Sequence, residues 1–298
     1  MRHSAMSEDR DIVVAAGRVL RARSAGPQDA PAIMYFPGTP DSRLFIDVLA
    51  PLAVTTPVRV IAFDRPGYGG SDAQPFTLRS IAEDAGAVMD AFEVDRFAAV
   101  GQSGGGPFAL ATASRWPDRV TGVGSASGAG SMAEVPGELD LLIDTDRQAL
   151  ALLPGDPEGA AALFAVGFAD IVAFASGDDD AILAGFAELC PTDGDVLARA
   201  DVRAVLPAAV REAVRQGVEG AAWDNVAWVG PWDLDFASVR QPAWLWYGEA
   251  DPLAIPANGY WLKEKIPHAT LVMRPGEGHM GIVPHFDEIA STLAATLA

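Results

Sequence analysis

The run Val100-Gly101-Gln102-Ser103-Gly104-Gly105 constrains this chain more than any other stretch. Phe97 to Val100 is a short apolar segment that reads as a buried strand, and Gly104 to Trp116 reads as a helix. Between them lies G-x-S-x-G with Ser103 at its centre. A residue on so tight a strand-to-helix turn must hold a strained backbone, and glycines two positions to either side let strand and helix pass closely. The turn aims the hydroxyl away from the sheet, beside the N–H groups that open the helix and can hold a developing negative charge. Ser103 is therefore the candidate nucleophile. In a chain with 30 glycines the motif alone arises easily by chance, so the reading rests on its surroundings.

Those surroundings alternate. Ile12 to Ala15 and Arg18 to Arg23 read as an edge hairpin around Gly17, and Ala32 to Phe36, between Pro31 and Pro37, as a strand buried on both faces. Pro37 to Ser42 is a turn cluster leading to a helix over Leu44 to Leu52, with Ser42 as its cap. A Gly-x-Pro loop after a buried strand can offer the N–H of its middle residue, here Thr39, to a substrate oxygen. Val58 to Phe63 is the next strand, followed by the loop Asp64 to Asp72, in which Asp64 and Arg65 read as braces. A helix over Leu78 to Phe92 and a strand over Val120 to Ala126 continue the pattern, which implies parallel βαβ units.

From about Gly128 to Asp235 the alternation stops. Helical patterns run over Glu138 to Leu152, Pro157 to Phe174, Asp180 to Leu189 and Val202 to Gln216. This reads as a helical cap over residues 128–235, inserted into a core of residues 1–127 and 236–298. Trp223, Trp228 and Trp232 near its exit either line a pocket over Ser103 or pack the cap to the core. Asp178-Asp179-Asp180 reads as a solvated helix start, since nothing nearby completes a metal-ligand set.

The core pattern resumes with strands at Ala243 to Tyr247 and Thr270 to Met273, and helices at Ala257 to Ile266 and Phe286 to Leu297. Asp251 and His279 fall on loops after the two strands, at the sheet edge that carries Ser103. A serine hydroxyl needs a base, histidine suits that task near neutral pH, and a carboxylate fixes the imidazole tautomer. Of the four histidines, His3 lies in the polar opening, His268 at an exposed turn and His285 at a helix start; only His279 sits in a glycine-rich loop directly after a strand. Glu249 rivals Asp251 as the acid. Asp251 is preferred because Pro252 stiffens its turn and its shorter side chain orients more tightly.

Taken together, Phe36-Pro37-Gly38-Thr39-Pro40, Asp64-Arg65-Pro66-Gly67-Tyr68-Gly69, Gly101-Gln102-Ser103-Gly104-Gly105, Gly248-Glu249-Ala250-Asp251-Pro252 and Gly278-His279 resemble the α/β-hydrolase superfamily. The likeness covers Ile12 to Ala126 and Arg240 to Ala298. It implies an α/β fold with a mostly parallel central sheet, Ser103 as nucleophile, His279 as base, Asp251 as acid, and an oxyanion hole from the N–H groups of Thr39 and Gly104. Many members have histidine where this chain has Pro37, so a side-chain hydrogen bond that steadies the oxyanion loop is missing. Haloalkane dehalogenases and epoxide hydrolases of the superfamily carry aspartate at the position of Ser103, and proline iminopeptidases usually place tryptophan at that of Gly104.

Composition narrows the partners. A formal charge of −19 and a pI near 4.4 repel phosphate backbones and anionic membranes. Cys190 is the sole cysteine, so neither an internal disulfide nor a cysteine-based metal site forms. No secretory or membrane-spanning run is visible, so the expectation is a cytoplasmic protein with a small-molecule substrate and no cofactor, metal, nucleic acid or membrane partner. Homo-oligomerisation is left open. The leading expectation is a serine hydrolase of an ester, thioester or lactone with a small to medium apolar acyl group. Carbon-carbon cleavage of a diketone-type substrate by the same residues is the alternative, and a ligand receptor on a hydrolase shell the third.

Overall fold

The computed structural model describes residues 7–298; His3 and the rest of the opening hexapeptide lie outside the described residues. The described residues form an eight-stranded sheet from β1 (Glu8–Val13), β2 (Val19–Ala25), β3 (Ala32–Phe36), β4 (Arg59–Phe63), β5 (Phe97–Gln102), β6 (Val120–Ala126), β7 (Ala243–Gly248) and β8 (Thr270–Arg274). Their order is β1-β2-β4-β3-β5-β6-β7-β8. β2 pairs antiparallel with β1 and β4, and every later pairing is parallel, as the strand–helix alternation requires.

Period-two alternation builds a core on each face. In β3, Ala32, Met34 and Phe36 point to one side and Ile33 and Tyr35 to the other. The first face is covered by α2 (Leu78–Ala91) and α3 (Gly106–Arg115), whose Ile81, Val88 and Phe108 are fully buried. The second is covered by α1 (Ile46–Leu49) and the last helix, α13 (Phe286–Ala294), through Ile46, Leu49, Phe286 and Leu293. Each such side chain contributes about 1.5–3 kcal/mol by leaving water.

Between β6 and β7 the chain is helical: α4 (Glu138–Leu141), α5 (Asp144–Leu152), α6 (Pro157–Gly167), α7 (Ala169–Ala175), α8 (Asp179–Leu189), α9 (Gly194–Leu197), α10 (Ala200–Ala213) and α11 (Glu219–Trp228). α12 (Pro256–Lys265) then leads into β8. Asp178 caps α8 by accepting from Ala181 N at 2.8 Å, the solvated helix start expected of the aspartate run. No single helix among the described residues is long and apolar enough to cross a membrane.

Several boundaries differ from the sequence reading. β1 runs over Glu8–Val13 rather than Ile12 to Ala15, because cross-strand charge pairs, Arg21–Asp11 at 2.8 Å and Arg23–Asp9 at 2.8 Å, hold a strand with little apolar signal. The helix expected over Leu44 to Leu52 is a short α turn between two 3₁₀ turns. The helix expected over Glu138 to Leu152 is divided by extended backbone at Leu142 and Ile143. That expected over Pro157 to Phe174 bends by 43° at Phe168. α11 has no counterpart in the sequence reading. It is buried on most sides, so its residues show no amphipathic period.

Candidate active site

β5 delivers Ser103 to a turn at the C-terminal edge of the sheet, where its φ is +52°. Such a conformation costs an L-residue roughly 1–3 kcal/mol and persists only where neighbours enforce it. Here two glycines do so. A Cβ on Gly101 would run into the carbonyl of Gly105, and one on Gly105 into the carbonyl of Phe36. Ser103 O accepts from Ala129 N at 3.0 Å, tying the turn to the start of the helical segment.

His279 follows β8 and Asp251 follows β7. Nδ1 of the ring lies 2.9 and 3.0 Å from the two Asp251 carboxylate oxygens. Asp251 Oδ1 also accepts from Leu253 N at 2.9 Å and Ala254 N at 3.0 Å, so the carboxylate is oriented before it meets the ring. Glu249, the rival acid, is exposed. His268 Nε2 meets Gln241 O at 3.0 Å and His285 Nε2 meets Glu277 at 2.8 Å, and neither lines the cavity that Ser103 lines. From the helical segment, buried Asp193 accepts from the backbone N–H of His279 at 2.8 Å and of Met280 at 3.1 Å. Burial pushes its carboxyl pKa up, and those two N–H groups pull it back.

The loop carrying Thr39 lies over the Ser103 turn. A Cβ on Gly38 would sit 3.4 Å from Ser103 Cβ and 3.9 Å from Ser103 Oγ, and one on Gly104 would collide with Thr39 Oγ1. Residue 104 is thus glycine because Thr39 occupies the space of its side chain. Pro37 supplies no side-chain hydrogen bond to this loop, but Arg65 does. Its Nη1 donates to Pro37 O at 2.8 Å and its Nη2 to Gly38 O at 2.9 Å. Asp224, on α11, accepts from Arg65 Nε at 2.7 Å, Arg65 Nη2 at 2.6 Å, Thr39 Oγ1 at 2.7 Å and Tyr68 OH at 2.5 Å. Both charged side chains are essentially without solvent contact, 1% for Arg65 and 0% for Asp224, so the pair is sustained by its full set of partners.

Ser103 and His279 both line one cavity of about 560 Å³, walled further by Phe45, Phe168, Phe174 and Phe186. Neither Trp223, Trp228 nor Trp232 lines it. Trp232 packs instead against Phe236 and Trp261, with ring centroids 5.8 and 5.3 Å away. Of the four phenylalanines, Phe174 comes from α7, Phe186 from α8, Phe168 precedes α7 and Phe45 lies ahead of α1; Trp232 takes the packing alternative, and Trp228 Nε1 lies 3.3 Å from where a Cβ on Gly104 would sit. Among the described residues no group of three or more histidine, cysteine or carboxylate side chains is arranged to hold a metal ion.

The family model described as the alpha/beta hydrolase fold matches residues 31–286. The chain belongs to this family. A hydrolase from Pseudomonas aeruginosa superposes with a TM-score of 0.66 at 20% identity, over 98% of each chain. An enol-lactonase from Burkholderia xenovorans gives 0.61 at 24% identity, over 97% of this chain and 99% of that one. An esterase from Rhodococcus sp. gives 0.63 at 18%, with the same coverages. An uncharacterized hydrolase of Saccharomyces cerevisiae is 29% identical over 109 residues, a match spanning 36% of this chain and 37% of the yeast protein.

Within this α/β-hydrolase frame the structure adds residues that the sequence did not single out. Asp193 and Asp224 have no local signal, because each meets its partners across 86 or more positions of chain. Arg65 was visible as a brace, but not what it braces.

Proposed function

We propose that the protein is a serine hydrolase that opens a carboxylic ester, thioester or lactone through an acyl-enzyme. Ser103 Oγ attacks the carbonyl carbon while His279 takes its proton, and Asp251 holds Nδ1–H so that the other ring nitrogen is the base. The N–H groups of Thr39 and Gly104 receive the charge that develops on the carbonyl oxygen. Protonated His279 then passes its proton to the leaving oxygen or sulfur, and water, activated by the same ring, releases the acid. The observation that carries this reading is the His279–Asp251 pair at 2.9 Å, whose histidine lines the same largely apolar cavity as a positive-φ serine. The helical segment of residues 128–235 acts as the cap that shapes the acyl site. The esterase and lactonase among the structural neighbours support the choice of bond.

A fluorophosphonate probe tests it. The wild-type protein should be labelled stoichiometrically and hydrolyse p-nitrophenyl esters, and Ser103→Ala should do neither. Labelling of Ser103→Ala at the wild-type rate would remove Ser103 from the role.

A further inference from the structure

The cavity has an uneven supply of charge. Among its lining residues are three carboxylates, Asp41, Asp170 and Glu188, and neither lysine nor arginine. Asp170 and Glu188 are exposed at the mouth, whereas Asp41 is half-buried inside, two residues after Thr39. One of its oxygens accepts from Ser42 N at 2.7 Å; among the described residues the other meets no hydrogen-bond donor. The nearby cation, Arg65, is fully committed to Asp224 and to the carbonyls of Pro37 and Gly38. Asp41 is therefore a carboxyl group on a binding wall without a cation of its own.

Most of the rest of the wall is apolar. Phe168, Phe174 and Phe186 line the same space, Phe174 and Phe186 with centroids 6.2 Å apart and planes tilted by 51°. Ring faces carry partial negative charge and attract cations, ammonium ions with bulky alkyl groups above all. A half-buried carboxyl and several phenyl rings in one largely apolar cavity suit a group that is cationic and greasy at once, and oppose an anion.

We infer that the site takes esters bearing an alkylammonium group, seated between the Asp41 carboxylate and the phenyl rings of α7 and α8. This rests on the hydrolase reading above and names its substrate class. Burial holds the empty Asp41 carboxyl up, at about 7, against the Ser42 N–H and Arg65, which favour the anion, and with Asp64 adding to the rise. An arriving cation would complete its ionisation.

Isosteric pairs test the inference, because trimethylammonium and tert-butyl have nearly the same shape. Choline butanoate against 3,3-dimethylbutyl butanoate puts the charge on the alcohol side. The p-nitrophenyl esters of 4-(trimethylammonio)butanoate and 5,5-dimethylhexanoate put it on the acyl side. In at least one pair the cation should be preferred by roughly tenfold in kcat/KM, and in Asp41→Asn that ratio should fall towards one. Calorimetry of the same esters with Ser103→Ala gives the binding ratio without turnover. Turnover of the neutral esters with no cation preference overturns the inference and leaves the hydrolase reading intact. Absence of all ester turnover removes that reading instead, and the calorimetric ratio then decides whether the ammonium site exists. A preference that survives Asp41→Asn unchanged also overturns it.

Discussion

The guanidinium of Arg65 reaches both oxygens of Asp224, at 2.7 and 2.6 Å, and through this pair α11 grips the Pro37–Gly38–Thr39 loop. Removing one partner leaves a buried charge uncompensated, which typically costs about 3–5 kcal/mol. Asp224→Ala should lose stability on that scale in urea unfolding. If the Thr39 N–H is an oxyanion donor, kcat in the folded fraction should fall by roughly a hundredfold, the cost of losing one such donor. Arg65→Lys, with Asp224 intact, should lose rate as well, since an ammonium cannot serve the carboxylate and two carbonyls together. A kcat within twofold of wild type in Asp224→Ala would show that the loop holds itself.

Asp251 and Glu249 separate the two acids offered by the sequence. Asp251→Asn should lower kcat by about 10⁴, the effect of presenting the wrong imidazole tautomer. Glu249→Gln changes an exposed side chain and should leave the rate within about twofold. Reversed results in steady-state ester hydrolysis would move the acid to Glu249.

Much of this site was legible before any coordinates. Ser103, Asp251 and His279 sit on loops after strands, where short-range glycine and proline patterns mark turns, and the alternation of strands with helices fixes which sheet edge they share. What connects the helical segment to those loops was not legible. Asp224 lies in a helix buried on most sides and Asp193 in a short 3₁₀ turn, so neither hydrophobic period nor turn chemistry points to them. Which of their two roles the tryptophans take was not legible for a related reason: tryptophan signals burial without saying against what, and Trp232 packs on Phe236 and Trp261.

Gly105→Ala tests the turn itself. Its new Cβ would meet the backbone carbonyls of Phe36 and Pro37, which no rotamer change relieves. A loss of about 3 kcal/mol or more is expected, with reduced soluble yield and a lower Tm by differential scanning fluorimetry. Wild-type melting would mean that β3 yields at that point.

Asp41 links stability to pH. Its folded pKa of about 7 lies above the usual value of 3.8, so the folded state keeps a proton that the unfolded chain has released. The contribution of Asp41 to stability is thus undiminished below about pH 4 and falls as pH rises towards 7. Asp41→Asn removes the penalty and keeps an acceptor for Ser42 N. It should raise Tm by a few degrees at pH 8, and the gain should vanish near pH 4. A gain equal at both pH values would show that the carboxyl is not the cause.

Cys190 lines the cavity yet is only 1% exposed, and burial, reinforced by Asp193 and Asp251, pushes its thiol up to about 12. Little thiolate exists at neutral pH. Iodoacetamide should leave native protein unmodified by intact mass and alkylate it once in urea. Rapid native alkylation would mean that the segment between α8 and α9 opens readily.

The positive φ at Ser103 has a consequence for what this scaffold can become. The energetic burden there comes from a Cβ held at positive φ and is enforced by Gly101 and Gly105, so it is much the same for any unbranched side chain attached. Exchanging the hydroxyl for a thiol or a carboxylate adds no new backbone distortion. The corner works as a socket, and the chemistry of the side chain is decoupled from the architecture that presents it.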